Sequence, residues 1–218
     1  MDHLEVIMTA DGSHTLRNIH LDETYHSVHG AIQESMHVFI KSGLHYYHQT
    51  RKAQEISVLE IGFGTGLNAL LAMQYSRVNN IRIHYTTLEP FPLPREVWST
   101  LNYSDDQGDF TRIHTAQWGE PLGLCPEFTL EKQAVSLQES RLANSADVIF
   151  FDAFAPSVQP ELWGIECLKK VTDLLVPPGL LVTYSAKGQL KRDLKALGLR
   201  VETLPGPPGK LQMVRAQR

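Results

Sequence analysis

The fold is decided by the stretch Ile56-Ser-Val-Leu-Glu-Ile-Gly-Phe-Gly-Thr-Gly-Leu-Asn68. It begins with a β-branched apolar run, which is typical of a buried parallel strand. After Glu60 the run breaks into glycines at alternate positions, Gly62, Gly64 and Gly66, which let the backbone turn sharply and come close to a ligand. A helical pattern of apolar residues follows. A strand, a glycine turn and a helix in this order predict a doubly wound α/β domain, which binds its ligand at the carboxyl ends of the strands.

The glycine spacing separates two classes of nucleotide-binding domain. Dinucleotide-binding domains use Gly-x-Gly-x-x-Gly, whereas here the third glycine comes one residue early and Glu60 stands two places before the first. The pattern Glu-x-Gly-x-Gly-x-Gly resembles the first motif of the class I S-adenosylmethionine-dependent methyltransferases. A second acid, Glu89, closes the next strand-like segment, 81–88. An acid at that distance suits the two hydroxyls of a ribose, and the alternative is a solvated strand end.

Length and composition bound the architecture. The chain has 218 residues and is 42% hydrophobic, which predicts one large globular domain. We expect an N-terminal hairpin and helix over residues 1–50, packed on an α/β unit over residues 51–218. No apolar stretch reaches membrane-spanning length, and the N-terminus lacks the basic start of a signal peptide. The distant Cys125 and Cys167 favour reduced thiols in a cytoplasmic protein.

The charge distribution and the histidine pairs indicate whether the chain is expected to bind a nucleic acid or a metal ion. The net charge of -4 argues against a uniformly basic nucleic-acid binder, yet residues 187–218 are rich in Lys and Arg. This asymmetry favours a surface that faces a polyanion, and a solvated basic helix is an equal alternative on charge alone. Histidine pairs at i, i+3, His26/His29 and His45/His48, lack a third ligand pattern, so no metal is expected.

Periodicity and turn residues predict the remaining elements. A hairpin over 4–17 precedes a helix that starts at Val28, with Ser27 as its N-cap. A long irregular segment, 102–127, is typical of a substrate loop. The other predictions are a helix over 93–101, strands over 128–130 and 146–151, a helix over 160–175, a strand over 180–185, a basic helix over 187–197, and a final hairpin of strands 200–204 and 211–215.

Asp152 is the candidate for the chemistry, because it follows the nearly all-apolar strand 146–151 and so lies beside the predicted cofactor site. Methyl transfer to nitrogen needs a lone pair aimed at the methyl carbon, and a carboxylate that accepts the amine N–H would fix this direction. Asp-Ala-Phe-Ala-Pro156 is similar to the Asp/Asn-Pro-Pro-Tyr/Phe motif of amino-group methyltransferases. Phe154 would stack on a flat base and Pro156 would stiffen the turn. The alternative is that Asp152 caps the helix at Pro160.

Five blocks in order resemble the methyltransferase domain of the MnmC family. They run over nearly the whole chain: Tyr25-His-Ser-Val-His-Gly-Ala-Ile-Gln-Glu-Ser-Met-His-Val-Phe39, Glu60-Ile-Gly-Phe-Gly-Thr-Gly-Leu-Asn68, Glu89-Pro-Phe-Pro-Leu93, Asp152-Ala-Phe-Ala-Pro156 with Pro160-Glu-Leu-Trp163, and Thr183-Tyr-Ser-Ala-Lys-Gly-Gln-Leu-Lys-Arg192. The resemblance implies a class I methyltransferase fold, mostly parallel with an antiparallel last strand. It also implies S-adenosylmethionine as methyl donor and the 5-aminomethyl group of the tRNA wobble uridine, with or without 2-thiolation, as acceptor.

Site residues follow from the matched blocks and from the basic C-terminal region. The expected cofactor-binding residues are Glu34, Ser35, Glu60, Gly62, Gly64, Thr65, Gly66, Asn68, Glu89 and Asp152. The expected catalytic residues are Asp152, Phe154 and Tyr184. The expected residues for the tRNA anticodon arm are Tyr25, Pro156, Trp163, Lys187, Lys191, Arg192 and Lys210.

Two departures from the family pattern stand out. The sequence has no second glycine-rich motif of the kind that binds a dinucleotide. We therefore expect the methylation step of the family's chemistry and no bound FAD. The family's Gly-Asp-Ala after the third strand is replaced by Lys132-Gln133-Ala134, which leaves the adenine contact unassigned. A methyltransferase for a small amine or a protein side chain is the first alternative function. A non-catalytic binding domain is the second, and it predicts loss of Glu60, Glu89 or Asp152, all of which are present.

Overall fold

A computed structural model describes residues 3–103, 108–143 and 146–218. Its strands fall into two sheets. The N-terminal sheet is antiparallel and contains β1 (Leu4–Met8), β2 (His14–Asn18) and β3 (Glu23–Thr24). The large sheet contains β4 (Glu55–Ile61), β5 (Arg82–Leu88), β6 (Leu122–Cys125), β7 (Phe128–Gln133), β8 (Ala146–Phe151), β9 (Leu175–Thr183), β10 (Arg200–Pro205) and β11 (Gln212–Gln217).

The large sheet has the doubly wound order β10-β11-β9-β8-β4-β5-β7-β6 across the described part of the chain. The strands β9, β8, β4, β5 and β7 are parallel, whereas β10, β11 and β6 are antiparallel to their neighbours. The order reverses at β4, which pairs with β5 on one side and β8 on the other, so a crevice opens at their carboxyl ends. The predicted α/β fold with an antiparallel last strand is confirmed.

Helices cover both faces of the sheet. The N-terminal helix runs through α1 (Ala31–Ser35), a π-helical segment (Met36–His45) and α2 (Tyr46–Arg51); the others are α3 (Leu67–Asn79), α4 (Arg95–Trp98), α5 (Asp109–Thr115), a 3₁₀ turn (Pro160–Leu162), α6 (Ile165–Asp173) and α7 (Gly188–Ala196). Side chains of β4 pack into the hydrophobic cores on both faces of the sheet. Ile56 and Val58 belong to the core under α3, and Leu59 and Ile61 belong to the core under α6 and α7. Successive side chains of a strand point to opposite faces, so a strand whose side chains are buried on both sides belongs to a sheet that is covered on both faces.

The N-terminal helix begins later than predicted. Ser27 is not its N-cap, because the helix starts at Ala31 with Gly30 in the capping position. Side chains of the β1–β2 hairpin supply the cap from a distance. Three N–H groups of the first turn donate to them: Ala31 to Thr9, Ile32 to Ser13 and Gln33 to Asp11. These acceptors satisfy donors that a helix end leaves free, so a local capping residue is not needed.

Four other boundary predictions are corrected. The helix expected over 93–101 is the single turn α4. The segment 102–127 is not irregular throughout, because it contains α5 and β6; residues 104–107 lie outside the described residues. Helix α5 forms because Phe110 and Ile113 share a buried face and Arg77 of α3 holds Asp109 at its first turn. The helix expected over 160–175 is divided into a 3₁₀ turn and α6, and β9 starts at Leu175 rather than at Leu180.

The remaining elements lie where they were predicted, within a few residues, including the hairpin β1–β2 and the central strand β8. Among the described residues, no helix combines the length and hydropathy needed to cross a membrane. No group of three or more potential metal-ligating side chains occurs in the same described ranges.

Candidate active site

A cavity of about 1380 Å³ opens at the carboxyl ends of β4, β5 and β8. Its lining comes from the glycine turn after β4, the segment from Glu89 to Pro94, residues 134–139, the turn after β8, the N-terminal segment around β3, Glu34 of α1 and Tyr184 after β9. Lys210 joins them from the turn between β10 and β11. The volume exceeds the roughly 300–1,000 Å³ of ordinary ligand pockets, so the cavity has room for a cofactor and part of an acceptor.

The glycine turn lies where side chains would not fit. Gly62 has φ of +95°, and a Cβ there would stand 2.6 Å from the carbonyl oxygen of Asp152. The turns after β4 and β8 therefore touch through bare backbone. Gly64 has φ of +48° and lies under the ring of Tyr25. Both glycines line the cavity, as does Thr65, whereas Gly66 turns away from it to start α3 and packs against Phe63 and His114.

Glu89 meets the glycine turn across the crevice. Its Oε2 accepts the N–H of Gly64 at 3.0 Å, and its Oε1 accepts the N–H of Phe91 at 2.9 Å. Burial raises the pKa of this carboxyl group, while the two backbone donors favour its charged form. Each carboxylate oxygen has a lone pair left after these contacts, so the group can still accept hydroxyl donors from the cavity.

Glu60 lies beneath the turn rather than in the cavity. Its carboxyl group is fully buried and accepts hydrogen bonds from Asn68 Nδ2 at 3.0 Å and from Thr87 Oγ1 at 2.8 Å. The same Asn68 amide donates to Asp152 Oδ2 at 2.8 Å. Burial, followed by the neighbouring Asp152, raises the pKa of Glu60 to about 8. The structure therefore gives Glu60 the place of a support that fixes Asn68, which does line the cavity with Asp152.

Asp152, Phe154, Tyr184 and Tyr25 converge on one end of the cavity, which we call the acceptor end. Burial, with the charge of Glu34, raises the pKa of Asp152 to about 7. The Tyr184 hydroxyl donates to the carbonyl of Ala153 at 2.8 Å, so it stiffens the turn that carries Asp152. The rings of Tyr25 and Phe154 meet edge to face, with centroids 5.0 Å apart. The acceptor end thus combines a carboxyl group with aromatic faces, as an amine on a flat ring would require.

Glu34 and Lys210 form an ion pair that the sequence did not indicate. Lys210 Nζ lies 2.6 Å from Glu34 Oε1 and 3.8 Å from the centroid of the Tyr184 ring. Both side chains line the cavity. Lys210 was predicted to contact tRNA together with the basic helix, but its ammonium group is already engaged inside the site. No signal in the sequence joins these residues, because they belong to opposite ends of the chain.

Several other predicted residues lie outside the cavity lining. Ser35 is fully buried in the helix, and Trp163 is buried in the core, where its indole N–H donates to the carbonyl of Phe154 at 2.8 Å. Pro156 follows the lining residue Ala155 but is not itself part of the lining. The basic residues at the start of α7 and within it lie on a separate surface: Lys187, Lys191 and Arg192.

The unusual Lys132 faces away from the cavity. Its side chain is buried, and its ammonium group donates to the carbonyls of Ile113 and His114 at 2.8 Å each, at the end of α5. Burial lowers its pKa to about 8. The lining of the cavity resumes at Ala134 and continues to Glu139. No residue of the segment 134–139 was predicted to line the site, although its place after the carboxyl end of β7 is the signal that could have identified it.

Comparison with known proteins agrees with this geometry. Residues 127–218 match a family described as S-adenosyl-L-methionine-dependent methyltransferase. Over 210 residues the chain is 30% identical to the tRNA 5-methylaminomethyl-2-thiouridine biosynthesis bifunctional protein MnmC of Cupriavidus necator, in a match that covers 89% of this chain and 32% of that protein. The corresponding protein of Cupriavidus metallidurans is 29% identical, over 100% of this chain and 34% of its own length.

Two solved structures have a fold similar to that of this chain. MNMC2 from Aquifex aeolicus superposes with a TM-score of 0.82 at 26% identity, over 98% of this chain and 70% of that one. Spermidine synthase from Thermotoga maritima, with a TM-score of 0.58 at 15% identity over 100% of this chain and 73% of that one, shares the fold. The chain spans about a third of the length of the curated relatives it matches.

Proposed function

We propose that this chain is an S-adenosylmethionine-dependent methyltransferase that methylates the amine of 5-aminomethyluridine, or of its 2-thio form, at the wobble position of tRNA. The observation that carries the proposal is the acceptor end, where Asp152 stands beside the rings of Phe154 and Tyr25 and next to the glycine turn. The similarity to proteins named for tRNA 5-methylaminomethyl-2-thiouridine biosynthesis supports the identity of the acceptor.

The residues of the crevice fit S-adenosylmethionine. The cofactor needs a close backbone approach, and Gly62 and Gly64 provide one. Its ribose needs a carboxylate acceptor, and Glu89 presents one that is already oriented by two backbone N–H groups. When bound, this cofactor supplies an electrophilic methyl group on a sulfonium sulfur. Glu34 and Ser35, also expected to bind it, stand at the acceptor end and inside the helix respectively, so a direct contact from either remains a proposal.

Asp152 has two tasks in this mechanism. An alkylammonium group has no free lone pair, so the acceptor nitrogen must lose a proton before a nitrogen–carbon bond can form as the sulfur–carbon bond breaks. A carboxyl group with a pKa raised to about 7 can hold this proton at neutral pH. Its oxygen also accepts the remaining N–H and so turns the lone pair toward the methyl carbon. Asn68 fixes the carboxyl group in this orientation.

The flat base would be held by aromatic side chains. A wobble nucleotide that is splayed out of the anticodon loop exposes both faces of its ring to stacking. Phe154 and Tyr25 line the cavity and can provide such faces, whereas Trp163 acts through its hydrogen bond to the carbonyl of Phe154. We therefore keep Phe154 as the stacking residue and assign Trp163 a supporting role.

Mass spectrometry of nucleosides tests the proposal. Purified protein is incubated with S-adenosylmethionine and with tRNA that carries 5-aminomethyl-2-thiouridine, and the digested wobble nucleosides are compared with a reaction that lacks the protein. We expect the aminomethyl nucleoside to gain one methyl group. Methylation of a free amine or of a protein side chain, with tRNA left unchanged under the same conditions, would replace the proposal with the first alternative function.

A further inference from the structure

The turn between β10 and β11 reaches across the molecule to the N-terminal helix. Its own shape is held by backbone bonds from Gly206 N–H to the Leu211 carbonyl at 3.1 Å and from Lys210 N–H to the Pro207 carbonyl at 2.9 Å. His37 Nε2 donates to the carbonyl of Pro205 at 2.9 Å. The ring of His29 covers Gly209 so closely that a Cβ there would stand 2.0 Å from it. The turn therefore holds Lys210 at a defined position over the acceptor end.

Lys210 holds Glu34 from one side and the backbone holds it from the other. Glu34 Oε1 accepts Lys210 Nζ at 2.6 Å, and Glu34 Oε2 accepts the N–H of Ser27 at 2.6 Å. The Glu34 side chain is 6% exposed, so an unpaired charge there would be costly. The Lys210 side chain is 33% exposed and rests on the face of Tyr184, a favourable place for a cation.

The acceptor end thus brings the carboxyl groups of Asp152 and Glu34 together with the cation of Lys210, while Glu23 of β3 lines the cavity and acts on Tyr184. Asp152 is faced by Glu34 from α1, Lys210 from the C-terminal turn and Tyr184 from the end of β9. Beneath it lie Glu60 of β4 and Tyr85 of β5, while Asn68 of α3 donates to it. Glu34 favours the neutral form of Asp152, and Lys210 favours its charged form. Without Lys210, Glu34 would compete with Asp152 for the cationic amine.

We propose that Lys210 is a positioning residue of the active site, which holds Glu34 in place and neutralises it so that Asp152 alone meets the acceptor amine. This inference rests on the proposed function, since it concerns the amine that the enzyme would methylate. It places Lys210 inside the site rather than on the tRNA-binding surface, and it gives Glu34 a role beside the acceptor amine. The pair instead joins the two ends of the chain over the acceptor end of the cavity.

The first measurement does not depend on the reaction. The side-chain carboxyl carbon of Asp152 is followed by NMR in the full chain labelled with carbon-13 aspartate, and its pKa is determined by titration. Lys210→Met should raise that pKa by about one unit, because a neighbouring cation is removed. Glu34→Gln should lower it, because a neighbouring anion is removed. A purely structural role of the pair predicts shifts of the same sign or none, and either result would overturn the inference.

The controls separate charge from folding. Lys210→Arg keeps the cation and should leave the pKa of Asp152 near its wild-type value, whereas Lys41→Met removes an exposed lysine of the N-terminal helix and should leave it unchanged. Thermal melting identifies any variant that fails to fold. If Lys210→Met is unstable, two results still test the proposal. The pKa of Asp152 should fall in Glu34→Gln and should stay near its wild-type value in Lys210→Arg.

The second measurement is the pH profile of methyl transfer to tRNA. Raising the pKa of Asp152 from about 7 by one unit lowers its ionised fraction at pH 7 about fivefold. Lys210→Met should therefore lose about that factor in kcat at pH 7 and recover above pH 9, with an unchanged KM for S-adenosylmethionine. Equal losses at both pH values would contradict the inference. Absence of tRNA methylation by the wild-type protein would refute the proposed function alone, because the NMR shifts test the pair independently.

Discussion

The candidate site contains three buried carboxyl groups, those of Asp152, Glu60 and Glu89, and the surroundings of each one shift its pKa. Asp152 and Glu60 share one Asn68 amide, and burial raises the pKa of both. Of these two, Asp152 lines the cavity and Glu60 lies beneath the glycine turn, so we propose a catalytic role for Asp152 and a supporting role for Glu60. Burial also raises the pKa of Glu89, but the backbone N–H groups of Gly64 and Phe91 oppose this shift and favour the charged form that we propose as the ribose acceptor.

Asp152→Asn should abolish methyl transfer while leaving cofactor affinity nearly intact. The asparagine keeps the size of the side chain but cannot take a proton, and general-base catalysis is typically worth about 10²–10⁴-fold. Single-turnover kinetics and calorimetry with S-adenosylmethionine measure the two effects. Asp173→Asn, an exposed residue of α6, serves as control. Turnover close to wild type in a folded Asp152→Asn protein would show that another group positions the amine, with Tyr184 the next candidate.

Glu89→Ala should weaken cofactor binding. The variant loses charge-assisted hydrogen bonds to the ribose, worth about 1–3 kcal/mol, and it frees the N–H of Gly64. Calorimetry with S-adenosylmethionine measures the affinity, and thermal melting checks the fold. Glu96→Ala, which removes an exposed acid from the nearby α4, should leave the affinity unchanged. Equal affinities in Glu89→Ala and wild type would remove Glu89 from the site.

At the scale of elements, the β1–β2 hairpin and the N-terminal helix form one unit. Asp11 lies in the hairpin turn, where it accepts hydrogen bonds from Ser13, Thr9 and the backbone N–H of Gln33. Burial opposes its ionisation, but these hydrogen bonds outweigh burial and lower the pKa of Asp11 to about 2. The helix carries Glu34, so the hairpin indirectly positions part of the acceptor end.

Asp11→Ala should destabilise the protein by about 1–2 kcal/mol, the usual value of a helix cap. An aspartate has a pKa of about 3.9 in the unfolded chain, and the folded value is lower, so its contribution is complete above pH 5. The contribution is lost as the pH falls through 4 toward 2. Urea denaturation at pH 7 and pH 3 measures the difference between variant and wild type. A deficit that is as large at pH 3 as at pH 7 would contradict the cap, and Asp173→Ala provides a matched surface control.

At the scale of the whole molecule, the cavity is closed by the two ends of the chain. The N-terminal segment and the C-terminal turn meet at the Glu34–Lys210 pair, and both residues line the cavity. Helix α7 buries Leu190 and Leu194. Lys187 just before it and Arg192 are exposed and Lys191 is partly exposed, and these three residues remain the surface we propose for the tRNA backbone.

A triple Lys187/Lys191/Arg192→Glu variant should lose tRNA binding and keep the affinity for S-adenosylmethionine. Lysine and arginine side chains that bind phosphates release counterions, so the salt dependence of any residual binding should be shallower by about one unit for each phosphate that the variant no longer binds. Filter binding at several salt concentrations measures both. A charge-matched Arg51/Lys52/Arg82→Glu variant alters the amino ends of β4 and β5, opposite the cavity, and should bind normally. Unchanged affinity and salt slope in the first variant would make α7 a solvated helix.

The sequence by itself determined the parts of this protein that are local. An apolar run followed by Gly62, Gly64 and Gly66 defines strand, turn and helix, because the side-chain period and the absence of Cβ atoms act within a few residues. The parallel order of strands then brings the residues after each strand to one edge. For this reason the places of Glu89 and Asp152 could be predicted without any knowledge of the remaining contacts.

Only the tertiary structure decided which distant residues became partners. Glu34 and Lys210 are 176 residues apart, and their pairing depends on where the antiparallel strands β10 and β11 end relative to α1. The cap of the N-terminal helix comes from the β1–β2 hairpin, so Ser27 could not reveal the helix start. Lys132 departs from the family pattern at a position expected near the adenine, but its side chain points to α5 and donates to the carbonyls of Ile113 and His114. Long-range pairing follows from sheet order and core packing, which no local pattern of residues contains.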